Sequence, residues 1–579
     1  MVGAEDSPAE RDANTSPLIG GRRVALLLVL GCLLAVVMNP ALVANLDKVP
    51  AADSADRLFQ SWQLAWNGHA LLRQPFDFLD SNAFWPLDNS VAFSDALFGF
   101  TPAGLVGSGS AAAVVRYNLV FLFTYVTAFA AAALLARELG LRWPAAVLAG
   151  AAFAFAPWRL SQHNHLHVLG SAPIPLSLFF FLRGYRRRAP WLVFAGFLAA
   201  TWQVAIGFTL GVHLAYLLAL LEVLAGYRWW RSEPRPALGR GVLAASWGGA
   251  ATFAGWSGLQ AYPYLKVLQA HPEARRTADY VRFYSPPPRG FLAAPAESAV
   301  WGKATEGVRQ TLAWVPEMTL FPGLTVLVLA AAGLALPVLS MRWRIGLAAA
   351  LAVSAVLALG YSFLGGRFTY GLLFELAPGW QSSRTSSRVI TITILSLALL
   401  AGAGAQGAGD WVARRRQTGP PLPRRSPLLA VLLPGLFTVA VLAEGLGNLS
   451  AAGLTTPPVR QLPTVEPQIH LPTDDFDDLF YMFWSIDGFP AIVNGYSGFT
   501  PALLSELRGE MAGFPDQPSV ARLQELGVRM VVLHLDRVNG TAWAGAGERP
   551  VEGLPVARSE EGSTVLYELE PGRSNGGPT

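Results

Sequence analysis

About eleven long apolar runs fill about half of the first 447 residues of this chain and leave it few ways to fold. In hydrocarbon, backbone N–H and C=O groups have no water to bond, so only α-helices or closed barrels can span. Runs near 20 residues suit helices and far exceed the roughly 9–11 residues of a barrel strand. The runs fall at about 23–45, 117–136, 143–159, 168–184, 190–208, 209–227, 240–261, 319–340, 345–364, 388–406 and 427–447. Charged residues make up 14% of the 579, where a soluble protein carries about a quarter. The balance of 43 Lys+Arg against 39 Asp+Glu gives no reason to expect a nucleic-acid partner. The single cysteine, Cys32, lies in the first run and has no partner for an internal disulfide. That first run is too long for a signal-peptide core, and no A-x-A-like site follows, so it reads as a retained span.

Orientation follows from the basic residues. With the N-terminus cytoplasmic, the inner segments are Arg22-Arg23, Arg137–Arg142, Arg183–Arg188, Arg228–Arg240, Arg342–Arg344 and Arg414–Arg425, all short and basic. The long mixed-charge segments 46–116, 262–318, 365–387 and 448–579 then lie outside. The expected organisation is a disordered cytoplasmic stretch 1–22, a membrane domain 23–447 with long outer loops 46–116 and 262–318, and an extracytoplasmic domain 448–579. The tail has a helical stretch at Ser519–Leu526 and strand-like stretches at Arg529–Leu535 and Thr564–Leu569, so it reads as a small α/β domain. The fold class is an all-α polytopic membrane protein with that domain appended, in a multi-pass cell-membrane setting.

In the first outer loop, Phe59, Trp62, Trp66 and His69 recur at helical spacing and form an aromatic stripe suited to a membrane interface. Asp53 and Asp56 sit three apart at its N-terminal end. They suit first an N-cap and its N3 partner, a role compatible with that of a carboxylate poised at the membrane surface. Asp95, after Ser94, opens a second apolar stretch of the same loop. Gln162 to His167 carries three alternating histidines, a pattern open to metal binding or to substrate contact. Tyr284-Ser-Pro-Pro-Pro-Arg289 breaks helix, and with Trp301, Trp314 and Glu317 it can cover a sugar by aromatic stacking. Ala401–Gly409 is rich in small residues, as close helix packing requires.

Several motifs occur in a telling order. An acid soon after the first span precedes Trp62-x-Leu-x-Trp66-x-x-His69, then Phe84-Trp85-Pro86, then Ser94-Asp95-x-Leu-x-Gly99. Ala154–Gln162, Ser383–Arg388 and Asn494-Gly-Tyr-Ser-Gly-Phe499 follow. Over most of its length the chain resembles bacterial membrane proteins related to the GT-C glycosyltransferase superfamily, including the YfhO-like and mannosyltransferase-like members. The resemblance implies transfer of a sugar from a polyprenyl-phosphate carrier to a lipid or cell-envelope glycan acceptor on the outer face. It implies an essential acid in the first outer loop: Asp56 matches best, Asp53 second.

Such chemistry needs a base for the acceptor hydroxyl and positive charge for the departing lipid phosphate. Arg159, Arg384 and Arg388 lie at outer ends of spans, the last two on one face if the segment is helical. Trp62, Trp66, His69, Asp95 and His165 complete the substrate-binding candidates, His165 at the position similar sequences hold. No cofactor signature is present, and a divalent cation stays open. A lipid-linked glycan transporter needs ionisable residues deep in several spans, but these spans carry few: Glu222 and Glu444 lie near span ends and His213 is isolated. A non-catalytic envelope-assembly scaffold is the remaining alternative.

Overall fold

The computed structural model describes residues 19–51, 54–233, 238–415 and 426–571. Asp53, most of the polar N-terminal stretch and the basic stretch 416–425 lie outside the described residues. The chain forms two compact units. The first comprises residues 1–45, 119–259 and 276–451; the second comprises 46–118, 260–275 and 452–579. The first outer loop thus groups with the tail.

Each of the eleven expected ranges contains a helix. Six stretches are long and apolar enough to cross a bilayer: Gly21–Met38, Gly109–Glu138, Leu166–Arg187, Phe208–Arg231, Met341–Ala358 and Ser386–Arg414. Trp143–Ala154, Pro190–Ile206, Leu324–Ala335 and Val431–Glu444 are shorter apolar helices. A helix of 12 residues, such as Leu324–Ala335, extends about 18 Å, well short of a hydrocarbon core of about 30 Å. The protein is multi-pass, and among the described residues these six stretches have the length and apolarity of a full span.

Lipid tails are as apolar as leucine, so helices in a bilayer associate through close packing instead of a hydrophobic drive. Leu324–Ala335 and Ile390–Arg415 show how close. A Cβ on Gly404 would lie 1.9 Å from the Leu329 carbonyl oxygen, and one on Gly333 would lie 2.0 Å from that of Leu400. The small residues of Ala401–Gly409 thus perform the packing expected of them. Two buried carboxylates pin other helix ends. Glu138 accepts from Arg183 at 2.6 Å, both side chains being 4% exposed. Glu444 accepts from the Thr325 N–H at 2.9 Å, capping the start of Leu324–Ala335, where the helix dipole favours an acid.

In the second unit a four-stranded sheet runs in the order Gln468–Leu471, Met530–His534, Thr564–Leu569, Val556–Glu561. The first pair is parallel and the other two are antiparallel. Met530–His534, buried throughout, is central. The parallel crossover carries the helices Asp475–Trp484, Ala502–Glu510 and Gln517–Leu526. Asp474 caps the first by accepting from Phe476 and Asp477, and Asp516 caps the third in a capping box with Ser519. Val49–Pro50 pairs with Leu454–Thr455, tying the outer loop to the tail.

Under the sheet lies a buried histidine pair. Arg460 donates to His534 Nδ1 at 3.2 Å, so Nε2 carries the proton and donates to His470 Nδ1 at 3.0 Å. Burial, then Arg460 and Arg537, push His534 down to about 3, and burial holds His470 well below its usual range. The unfolded chain takes up these protons near 6.5 and the folded chain does not, so this stability is lost as pH falls below 6.5. Asp478, raised to about 6 chiefly by burial, works in the opposite direction but over a narrower range.

Two measurements check these contacts. Gly404→Ala should lower the thermal midpoint of the detergent-solubilised protein, at a cost of about 1–3 kcal/mol from overpacking. The second unit should unfold more easily at pH 5 than at pH 7, with His534 alone costing about 2 kcal/mol. In His534→Gln that pH difference should shrink.

Candidate functional site

Asp56 lies in the first turn of Ala55–Arg73. Ser54 occupies the N-cap position without a side-chain cap bond, and the Asp53 half of the expected capping pair lies outside the described residues. Asp56 is partly exposed and accepts a hydrogen bond from the Tyr496 hydroxyl at 3.2 Å. Tyr496 belongs to the Asn494–Phe499 motif, and its ring meets Phe59 edge-on at 5.5 Å. Asn494, fully buried, holds the motif in place: it donates to the His470 carbonyl and to Asp478. A Cβ on Gly495 would lie 2.4 Å from Phe84, so the third motif, Phe84-Trp85-Pro86, packs directly on it. Backbone bonds from Phe84 to Asn494 and from Trp85 to Ile492 join the same two segments. Three motifs far apart in the sequence thus frame one carboxylate.

The aromatic stripe has a different role from the one expected. Phe59, Trp62 and Trp66 are buried in a core with Phe84, Tyr481 and Trp484. The indole of Trp62 donates to Asn82, and that of Trp66 to the Phe78 carbonyl. The slot they line measures only about 10 Å³, too small for a sugar ring, so the stripe is a core face and not a shelf at the membrane surface. His69 keeps partial exposure at the end of the stripe, 4.4 Å from the Phe489 ring. Burial and then Arg73 hold its imidazole below the usual range.

Asp95 opens no long helix. Its segment is a chain of short turns, Ser90–Phe93, Phe98–Phe100 and Thr101–Gly104, whose carbonyls are held from several sides. Gln63 donates to the Asp95 carbonyl and Asn67 to that of Ala96, while Tyr264 donates to Ser94.

The first unit carries the basic candidates. Glu317 is 3% exposed and accepts from Arg388 and from the Ser387 hydroxyl, both at 3.1 Å. Burial pushes its carboxyl up, but Arg388, His165 and Arg384 together outweigh that and hold it below its usual range. His165 bonds Gln162 at 3.0 Å. Arg384 lies in an extended stretch ahead of the Ser386–Val389 turn, so it and Arg388 do not share a regular helix face. Its guanidinium packs over Tyr284 at 5.4 Å, and Arg276 packs over Tyr280 at 5.4 Å. Arg276 is held below its usual range by burial first, with repulsion from Arg384 and Arg388 adding to it. Three guanidiniums therefore gather around one carboxylate and two phenols, a balance that favours an anion.

Arg159 is not part of this group. It is 1% exposed and donates to Ser171 and the Leu169 carbonyl while its guanidinium covers Tyr125 at 5.1 Å, so it serves the fold. Trp301 packs edge-on against Phe321 and Trp314 against Tyr284; Glu317 is turned inward. Among the described residues no three His, Cys, Asp or Glu side chains form a metal-holding group. In the histidine run, His163 turns to the Leu160 carbonyl and His165 to Gln162. Sequence reading missed Arg276 and Tyr280, which carry no motif; their signal was the basic, aromatic composition of the 262–318 loop.

Over 96% of its length the chain superposes on the cryo-EM structure of the mycobacterial arabinofuranosyltransferase AftD, with a TM-score of 0.56 and 15% identity, matching 40% of that chain. The chain thus shares the overall fold of this neighbour. This chain spans less than half the length of that neighbour, and the likeness concerns fold alone. The Archaeoglobus fulgidus oligosaccharyltransferase AglB, solved with an inhibitory peptide and a dolichol-phosphate, is more remote at TM-score 0.43 and 13% identity, over 89% of this chain and 69% of its own. No family model and no curated protein matches the sequence.

Within the first unit the Glu317–Arg388 pair is a clear electrostatic dependence. Glu317→Gln should leave Arg388 buried without its counter-charge and cost about 3–5 kcal/mol, read as a lower thermal midpoint. Ser387→Ala, which removes a neutral donor, should cost about 1–2 kcal/mol.

Proposed function

We propose that this chain is a membrane glycosyltransferase that moves a sugar from a polyprenyl-phosphate-linked donor to a lipid or cell-envelope glycan acceptor on the outer face of the membrane. The observation that carries the reading is a partly exposed Asp56 oriented by Tyr496, in a GT-C fold. In this reading the N-terminus is cytoplasmic and the second unit extracytoplasmic, as the basic inner segments suggest.

Asp56 acts as general base. It takes the proton of the acceptor hydroxyl while that oxygen forms a bond to the anomeric carbon. The bond from that carbon to the phosphate oxygen breaks, and the lipid phosphate leaves with the electron pair. In the first unit, Arg384 and Arg388, with Arg276 beside them, are the groups suited to receive a lipid phosphate; guanidinium suits phosphate because it donates in a planar fork. Tyr496 is a positioning residue: its hydroxyl fixes the carboxylate rotamer and must release or share it as the acceptor arrives. His165 positions Arg388 through Glu317. Asp95, further along the same loop, is the alternative base.

Transfer is measured with the purified protein in lipid nanodiscs, using a panel of radiolabelled polyprenyl-phosphate sugars and membrane glycan acceptors. Asp56→Asn should fold normally and lose about 10²–10⁴-fold in rate, the range a general base supplies. Tyr496→Phe should lose less and keep a normal donor KM. Asp95→Asn should remain active. Activity in Asp56→Asn equal to wild type would overturn the assignment and shift the base to Asp95.

A further inference from the structure

The second unit contains a cavity of about 960 Å³ that the proposed chemistry leaves unused. It opens between the end of Ala55–Arg73, the glycine-rich turn at 104–109, and the tail segments 459–466 and 486–490. Asp56 is not among its lining residues. Its volume lies at the upper end of the roughly 300–1,000 Å³ usual for small-molecule sites, enough for several sugar rings.

The lining limits what can bind. Two guanidiniums, Arg73 and Arg116, face two carboxylates, Glu466 and Asp487. Most of this charge is already committed within the protein. Arg116 donates to the carbonyls of Val106 and Gly107. Asp487 accepts from the hydroxyl and N–H of Ser110, and Glu466 accepts from Ala491 N–H. The balanced, spoken-for charge disfavours a phosphate or carboxylate ligand. What remains toward the cavity is the amide of Gln461, the hydroxyl of Thr464 and an aromatic pair, Phe489 with His69 at 4.4 Å. Phe489 holds φ at +50° after Gly488 at +104°, a turn that side chains rarely adopt and that sets the ring at the cavity wall. An aromatic face beside neutral donors and acceptors suits the C–H face and hydroxyl edge of a sugar.

We infer that this cavity binds a neutral oligosaccharide segment of the acceptor, away from the reacting hydroxyl. The inference rests on the transferase reading and gives its acceptor a chemical class: an uncharged glycan held by several rings. Such a groove would raise the local concentration of acceptor chains and favour longer ones.

The test is calorimetric titration of the full-length protein in nanodiscs with two neutral probes, an arabinan and a mannan hexasaccharide. One of them should bind at millimolar or lower concentration. Phe489→Ala should weaken that binding at least tenfold, and Thr464→Trp, which fills the cavity from an exposed position, should abolish it. Asp56→Asn should bind as wild type does. Absence of binding by both probes, or binding undiminished in a folded Thr464→Trp, overturns the inference. A protein that transfers sugar yet binds no free glycan keeps the transferase reading and loses the groove. One that binds glycan through Phe489 yet transfers from no donor does the reverse.

Discussion

In hydrocarbon a peptide group has only its own chain to bond, and this single constraint arranges the rest of the molecule. The apolar runs must be helical, and their packing relies on contacts as close as Gly404 on Leu329. Irregular backbone is tolerated only where it is buried in protein or meets water. Outside the spans, in the first outer loop, the Asp95 segment is a series of short turns whose carbonyls are claimed by Gln63, Asn67 and Tyr264. The first outer loop folds with the tail in the same way, through the Val49–Thr455 strand pair and a shared aromatic core.

That shared core explains the double use of the Ala55–Arg73 helix. Its aromatic stripe anchors it, and its N-terminal end presents an acid. Carboxylates elsewhere in the protein are treated differently. Glu317 and Glu138 are sealed against arginines and serve the scaffold, at the desolvation cost such pairs carry. Asp56 is left partly exposed and accepts a hydrogen bond from the Tyr496 phenol. The basic group around Arg384 has the opposite character: more cation than its one carboxylate balances.

Helix positions were legible from the chain because apolar runs of that length have one solution. Their lengths in the structure were less so, because Gly and Pro end apolar helices early: Leu324–Ala335 fills only part of the 319–340 run. The strand Met530–His534 was readable as a short continuous apolar run, and Thr564–Leu569 from its alternation. Gln468–Leu471 was too short to signal itself, and Val556–Glu561 is a charged, exposed edge strand that lacks the apolar pattern. The period of the stripe at Phe59, Trp62 and Trp66 was plain, but periodicity names a face without saying what covers it. The Tyr496–Asp56 bond joins residues 440 positions apart, and no local pattern carries such a contact. Arg159 misled for a related reason: an arginine at the outer end of a span looks the same in sequence whether it greets a phosphate or stabilises a carbonyl.

The central claim is that the arginine group of the first unit receives the phosphate of a lipid-linked sugar. It is tested most directly by a cryo-EM structure of the protein with a polyprenyl phosphate bound. The account expects phosphate density within hydrogen-bonding distance of the Arg384 guanidinium, and loss of that density in Arg384→Gln. Phosphate bound at a site without Arg384, Arg388 or Arg276 would contradict it.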